Sequence, residues 1–230
     1  MVEVFSPLVL GVALVLGLEH AFDADHVVAI STILSNTRSL RRSLLLGTVW
    51  GLGHSVTIFI IGAAVLALRV MVPQSIVSFF EVIAGIMLIV LGVYVIRGVM
   101  IERAASSQLS SLDPHLHPVH SEHNHPGHKD AHKSLLAGVI QGLGGSAAIM
   151  LVTLSTVGSA TIGVVFIAIF GLGVILGMIG IGALIGGLLA YTAFHVEKIH
   201  FAIRAIAGCL SIGFGLFIIL NTLLLGKTML

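Results

Sequence analysis

The chain is expected to be an all-α polytopic membrane protein, with six transmembrane helices arranged as two inverted three-helix repeats. Three observations predict this. Apolar side chains make up 57% of the 230 residues and charged ones only 9%, where soluble domains carry about 25% charged residues. Mean hydropathy is +1.13, and several apolar runs exceed the ~18 residues a helix needs to cross a bilayer. Short segments of the first half recur in the second at nearly one offset. A transmembrane barrel is excluded, because barrel strands alternate apolar and polar over about 10 residues and these runs do not.

The first apolar stretch covers residues 7–34 and the second 43–68. The others are 75–97, 134–156, 161–190 and 201–225. Residues 1–21 lack Lys, Arg and a small-residue cleavage site, so they read as a retained span and not as a signal peptide. Cytoplasmic loops collect Lys and Arg. Arg38, Arg41 and Arg42 follow span 1; Arg97, Arg103, Lys129 and Lys133 flank the loop after span 3; Lys198 and Arg204 surround the loop after span 5. Only Arg69 and Lys227 remain for the opposite side. This bias places the chain in the plasma or inner membrane with both termini outside and the long loop in the cytoplasm.

The repeat rests on two pairs of segments. Trp50, Gly51, Leu52 and Gly53 recur as Phe170, Gly171, Leu172 and Gly173, 120 residues on. Ile83, Ala84, Gly85 and Gly92 recur as Ile206, Ala207, Gly208 and Gly215, 123 residues on. With three spans per copy, the second copy must cross the membrane upside down. Glycines four apart, at Gly47/Gly51, Gly138/Gly142, Gly173/Gly177 and Gly182/Gly186, allow helix backbones to approach closely. The chain thus divides into a first three-helix repeat at 1–100, a cytoplasmic His-rich loop at 101–133 and a second repeat at 134–230.

Span 1 holds Glu19, His20, Asp23, Asp25 and His26 within eight residues. A carboxylate at mid-membrane costs about 2.5–3.5 kcal/mol on insertion scales, so such a cluster needs partners, water or a bound cation. His54 in span 2 lies at a depth similar to His20, each about 17–20 Å from its end of the span at 1.5 Å per residue. Imidazole and carboxylate without thiolate suit nickel, cobalt or zinc, and less specifically manganese or iron. On an unbroken helix His20, Asp23 and His26 would stand at about 0°, 300° and 240°, with Asp25 on the other side at about 140°. Span 1 is also longer than a bilayer needs. It is therefore expected to be kinked or discontinuous between Gly17 and Asp25.

His20, Ala21, Phe22, Asp23, Ala24, Asp25 and His26 resemble the HX4DH signature, in its fuller form HAxDADH, of the nickel/cobalt transporter family. Leu52, Gly53, His54 and Ser55 are similar to the family's LGHS signature. Gly142, Leu143, Gly144, Gly145, Ser146, Ala147 and Ala148 are similar to the GLAGSAA stretch of its smaller UreH-like branch, with Gln141 where a histidine often stands. The resemblance implies transport of nickel or cobalt as substrate, no further cofactor, and a selectivity site of His20, Asp23, Asp25, His26 and His54. Glu19, Ser55, Gln141 and Ser146 are expected around that site or along the path. The chain departs from the large family members, which have eight spans and acidic signatures in the second half. Between Asp130 and Glu197 it has no acidic residue.

His115, His117, His120, His123, His125, His128 and His132 crowd the loop after span 3, among Pro114, Pro118, Pro126 and Gly127. Such a segment builds no core, and spaced imidazoles bind transition metals loosely and exchange them with protons. It reads as a metal buffer or sensor, with a cytoplasmic metallochaperone as its expected partner. Glu81 and Arg204 align under the repeat and read as interfacial side chains snorkelling to water.

The expected function is transmembrane transport of a divalent transition metal, nickel first and cobalt next, with uptake preferred to efflux as the direction. The alternative is a non-transporting metal-binding accessory of urease or hydrogenase maturation. No enzyme activity is expected. There is no P-loop motif, no HExxH, and Cys209 stands alone where thiol-redox transporters need a pair of cysteines. Without a dense basic cluster, nucleic acid is not a partner. The lipid bilayer and the metal ion are.

Overall fold

The computed structural model describes residues 7–37, 39–68, 72–112, 127–144, 159–195 and 197–225. These form helices α1 (Pro7–Ala21), α2 (Ala24–Leu34), α3 (Leu40–Leu68), α4 (Gln74–Leu112), α5 (Gly127–Gly144), α6 (Ala160–His195) and α7 (Glu197–Leu225). Among the described residues, four helices are long and apolar enough to cross a bilayer: α3, α4, α6 and α7. Two shorter apolar helices lie at Leu8–Ala21 and Ala24–Leu34. Bulky apolar side chains cover the outside, with Leu68, Leu184 and Leu8 about 70% exposed or more. A soluble protein rarely presents so much contiguous apolar surface, whereas lipid solvates it at no cost. The chain is a multi-pass membrane protein.

Two helices continue beyond their expected apolar limits. α4 is helical as far as Leu112, well past 101. α5 is helical from Gly127 on, ahead of the expected apolar stretch at 134. The polar ends of the His-rich loop are therefore helical. His115, His117, His120, His123 and His125 lie outside the described residues, as does Ser146.

Glycines decide which helices meet. A Cβ added to Gly17 would fall on the carbonyl of Phe170, and one added to Gly138 on the carbonyl of Trp50. These contacts pack α1 beside α6 and α5 beside α3, each pair parallel. Gly85 and Gly215 approach each other's backbone, as do Gly92 and Gly208, which makes α4 and α7 antiparallel. α3 and α6 are also antiparallel: Gly47 meets Met178 and Gly182, and Gly51 meets Ile175. Buried hydroxyls bond carbonyls across the same seams. Ser55 donates to Gly171 at 2.8 Å, Ser134 to Leu46 at 2.6 Å and Ser211 to Leu88 at 2.7 Å. Trp50, Phe170, Ile30, Leu34, Leu46 and Met178 form the core around these seams.

Charged side chains tie one end of the bundle. Arg42 pairs with Asp130 across α3 and α5. Arg204 is 3% exposed and does not snorkel as the sequence suggested. It donates to Glu102 at 2.6 and 3.1 Å and to Asn36 Oδ1 at 2.6 Å, joining α7, α4 and the segment after α2. The expectation fails because the guanidinium finds three side-chain acceptors, both oxygens of the exposed Glu102 and Asn36 Oδ1, and so does not have to reach water itself.

Candidate metal centre

The apolar stretch of residues 7–34 is divided at Phe22 and Asp23, between α1 and α2. Phe22 donates its N–H to the Glu19 carbonyl at 2.9 Å and Asp23 to that of His20 at 3.1 Å, three residues back in place of four. Asp23 then extends, with ψ 145°, and its carbonyl accepts the first hydrogen bond of α2, from Val27 at 3.0 Å. Aspartate suits this position because its carboxylate ordinarily caps the new helix. Here it makes no cap. The carboxylate instead takes His20 Nδ1 at 2.7 Å.

A second pair has the same form, with His26 Nδ1 2.9 Å from Asp25 Oδ1. A carboxylate against Nδ1 fixes the proton there and leaves the lone pair on Nε2. Nε2 of His20 and of His26 is buried without a hydrogen-bond partner, and so are both ring nitrogens of His54. The three rings converge: centroids are 4.7 Å apart for His20 and His26, 4.9 Å for His26 and His54, and 5.3 Å for His20 and His54. One ligand atom from each lies within 4.8 Å of the others, and Asp23, Asp25 and His26 form a second such group. Each unpartnered buried polar atom costs about 1–3 kcal/mol. A shared cation would relieve several at once.

The surroundings hold the rings in place. The indole of Trp50 stacks on His54, with centroids 5.0 Å apart and planes 9° from parallel, and meets His26 edge-on at 4.9 Å. Phe170 lies 5.5 Å from His20. The Gln141 amide donates to the Asp25 carbonyl at 3.1 Å and to its Oδ2 at 3.4 Å, so α5 braces the start of α2. Gln141 Oε1 is buried and unpartnered. A cavity of about 390 Å³ adjoins the cluster and is lined by His20, Asp23, Asp25, His26 and Gln141, with Glu81 and residues of α7 on its other wall.

The five residues expected at the selectivity site thus stand together, on α1, α2, the break between them and α3. Gln141 joins them. Ser55 is turned to the α3–α6 seam, and Glu19 is exposed and does not line the cavity. Of the loop histidines within the described residues, His132 is exposed on α5 and His128 belongs to its first turn. Trp50 and Glu81 are further members of the site. Trp50 precedes His54 by four residues, one helical turn, which puts both on one face. Glu81 is a carboxylate within an apolar span, a signal for function in itself.

A family model described as the cytochrome C biogenesis protein transmembrane region matches residues 13–217. Urease accessory protein UreH of Bacillus sp. (strain TB-90) is 37% identical over 220 residues, 96% of this chain and 93% of that protein. A candidate nickel/cobalt efflux system protein of Methanocaldococcus jannaschii is 27% identical over 175 residues, 74% of this chain and 72% of that one. No solved structure matches the chain significantly. The lone Cys209 leaves these 230 residues without the cysteine pair that thiol relay requires. With the family match covering residues 13–217 and the UreH identity running almost end to end, the chain belongs to the cytochrome c biogenesis transmembrane region family, in the UreH-like branch of the nickel/cobalt transporters.

Proposed function

We propose that the chain is a secondary permease for a divalent transition metal, nickel before cobalt, moving the ion through the His20, His26 and His54 site. One observation carries this reading: three converging buried imidazoles whose Nε2 atoms have no hydrogen-bond partner. Asp23 and Asp25 orient two of them through Nδ1 and supply negative charge against the cation's two positive charges. The nitrogen-rich donor set favours nickel, cobalt or zinc over magnesium or calcium. The efflux role in the name of the M. jannaschii relative leaves the direction to measurement, with uptake as our first choice.

Alternating access follows naturally from two inverted repeats of three spans, counting α1 and α2 as one. The helix seams support that arrangement. Gly17 and Gly138 are 121 residues apart, and the carbonyls they touch, at Phe170 and Trp50, are 120 apart. Gly51 meets Ile175 while Ser55 meets Gly171, a contact and its exchanged copy under the same offset. A two-fold axis in the membrane plane produces such reciprocal pairs. In this reading Gln141 is the counterpart of His20, and the Arg204 end of the bundle, with the His-rich loop, faces the cytoplasm.

Flux of radioactive nickel into proteoliposomes tests the proposal. Wild type should transport nickel, with cobalt competing better than zinc or manganese, and His26→Ala should reduce flux by about tenfold or more. Equal flux in the two would overturn the site. A second reading, a non-transporting accessory in nickel delivery, draws on the name of the Bacillus relative. Deleting residues 113–126 separates the two, since a permease keeps flux and an accessory that works through its His loop loses metal delivery.

A further inference from the structure

The cavity beside the imidazoles has walls of two kinds. It is lined by His20, Asp23, Asp25, His26 and Gln141 and also by Glu81, Asn221 and Thr222. Glu81 lies seven residues into α4, about 10 Å from the start of that helix, and Thr222 lies within the last turn of α7. Because α4 and α7 are antiparallel, both positions belong to the same end of the bundle. That end is opposite the one tied by Arg204, Glu102 and Asn36. One cavity therefore borders both the buried imidazoles and residues near the untied end.

The Glu81 wall has a chemistry of its own. Glu81 Oε2 accepts the Thr222 hydroxyl at 3.0 Å. Among the described residues Glu81 forms no ion pair, whereas Asp130 and Glu102 are both paired with arginine. The carboxylate, the Asn221 amide and the Thr222 hydroxyl offer a cation oxygen ligands only, and so few of them that a bound divalent ion would keep most of its water. On the wall of the same cavity His26 is 1% and Gln141 2% exposed, each with an unpartnered polar atom. Glu81 shares the cavity with Asp23 and Asp25, and carboxylates of one sign in a cleft concentrate cations there.

We propose that Glu81, with Asn221 and Thr222, forms a recruitment subsite for hydrated divalent cations on the cavity wall, ahead of the imidazole site. The role as a waypoint rests on the permease reading, but the binding itself does not. The subsite accepts divalent cations broadly, and selection falls to the imidazoles.

Manganese, which favours oxygen ligands, reports on this subsite by electron paramagnetic resonance of the purified full chain. Cobalt absorption in the visible range reports separately on the imidazole site. Wild type and Asp25→Asn should both immobilise manganese there, and Glu81→Gln should lose that signal while keeping the cobalt bands. In proteoliposomes Glu81→Gln should raise the nickel concentration for half-maximal flux about tenfold, an effect that shrinks at high salt. Thr222→Val, nearly isosteric, should weaken manganese binding less, and it serves as the test if Glu81→Gln loses its cobalt bands and so its fold. Manganese bound equally by wild type and both variants, or not bound by wild type, overturns the subsite. Wild-type liposomes without flux overturn the permease reading and leave the manganese result standing.

Discussion

At the scale of single residues, the centre works by giving each carboxylate one task. Asp23 abandons the cap of α2 for His20, and Asp25 holds His26. Gln141 in turn holds Asp25, so α5 governs the aim of an imidazole it never touches through hydrogen bonds of its own. Replacing Gln141 with Leu should weaken nickel binding about 10- to 100-fold, the usual effect of losing an outer partner of a metal-binding histidine. Isothermal titration of the purified protein checks it, and unchanged affinity would show that Asp25 needs no brace. The donor types were legible in the sequence, because ionisable groups stand out against an apolar span. Their division into ring-holders and rings was not, since a hydrogen bond from Nδ1 depends on a backbone turn at Asp23 that residue types alone do not specify.

Helices are aimed by glycine. Gly138 lets α5 settle on the carbonyl of Trp50, one turn before His54, and Gly142 packs against the His54 backbone itself. Valine at Gly138 should push α5 away from α3, costing about 2 kcal/mol of stability and loosening both His54 and the Gln141 brace. A lower melting temperature in detergent with weakened cobalt bands is the expected result. Alanine at Gly187, where an added Cβ meets nothing, should instead be neutral or stabilise by up to about 1 kcal/mol through helix propensity. The spacing of four residues told which helices have a smooth face. It could not tell which carbonyl each face would meet, because pairing is a property of two segments distant in sequence. Arg204 misled for the same reason: its partners Glu102 and Asn36 are 102 and 168 residues away.

Across the whole molecule, the two ends of the bundle differ. One is closed by arginine bridges among α3, α4, α5 and α7, and the other carries Glu81, Asn221 and Thr222, which line the cavity beside the imidazoles. The Lys and Arg count foresaw a charged end but not that its charges would lock helices together. One further property follows from the ring stack at the centre. Trp50 is the sole tryptophan of 230 residues, and it lies face to face with His54. Its ultraviolet emission is therefore a built-in gauge of occupancy. Nickel and cobalt have partly filled d shells that drain an excited indole at this range, while zinc, with a filled shell, does not. Titration with nickel or cobalt should darken the protein in proportion to binding, and zinc at the same site should leave it bright, so the emission separates an open-shell ion near Trp50 from zinc.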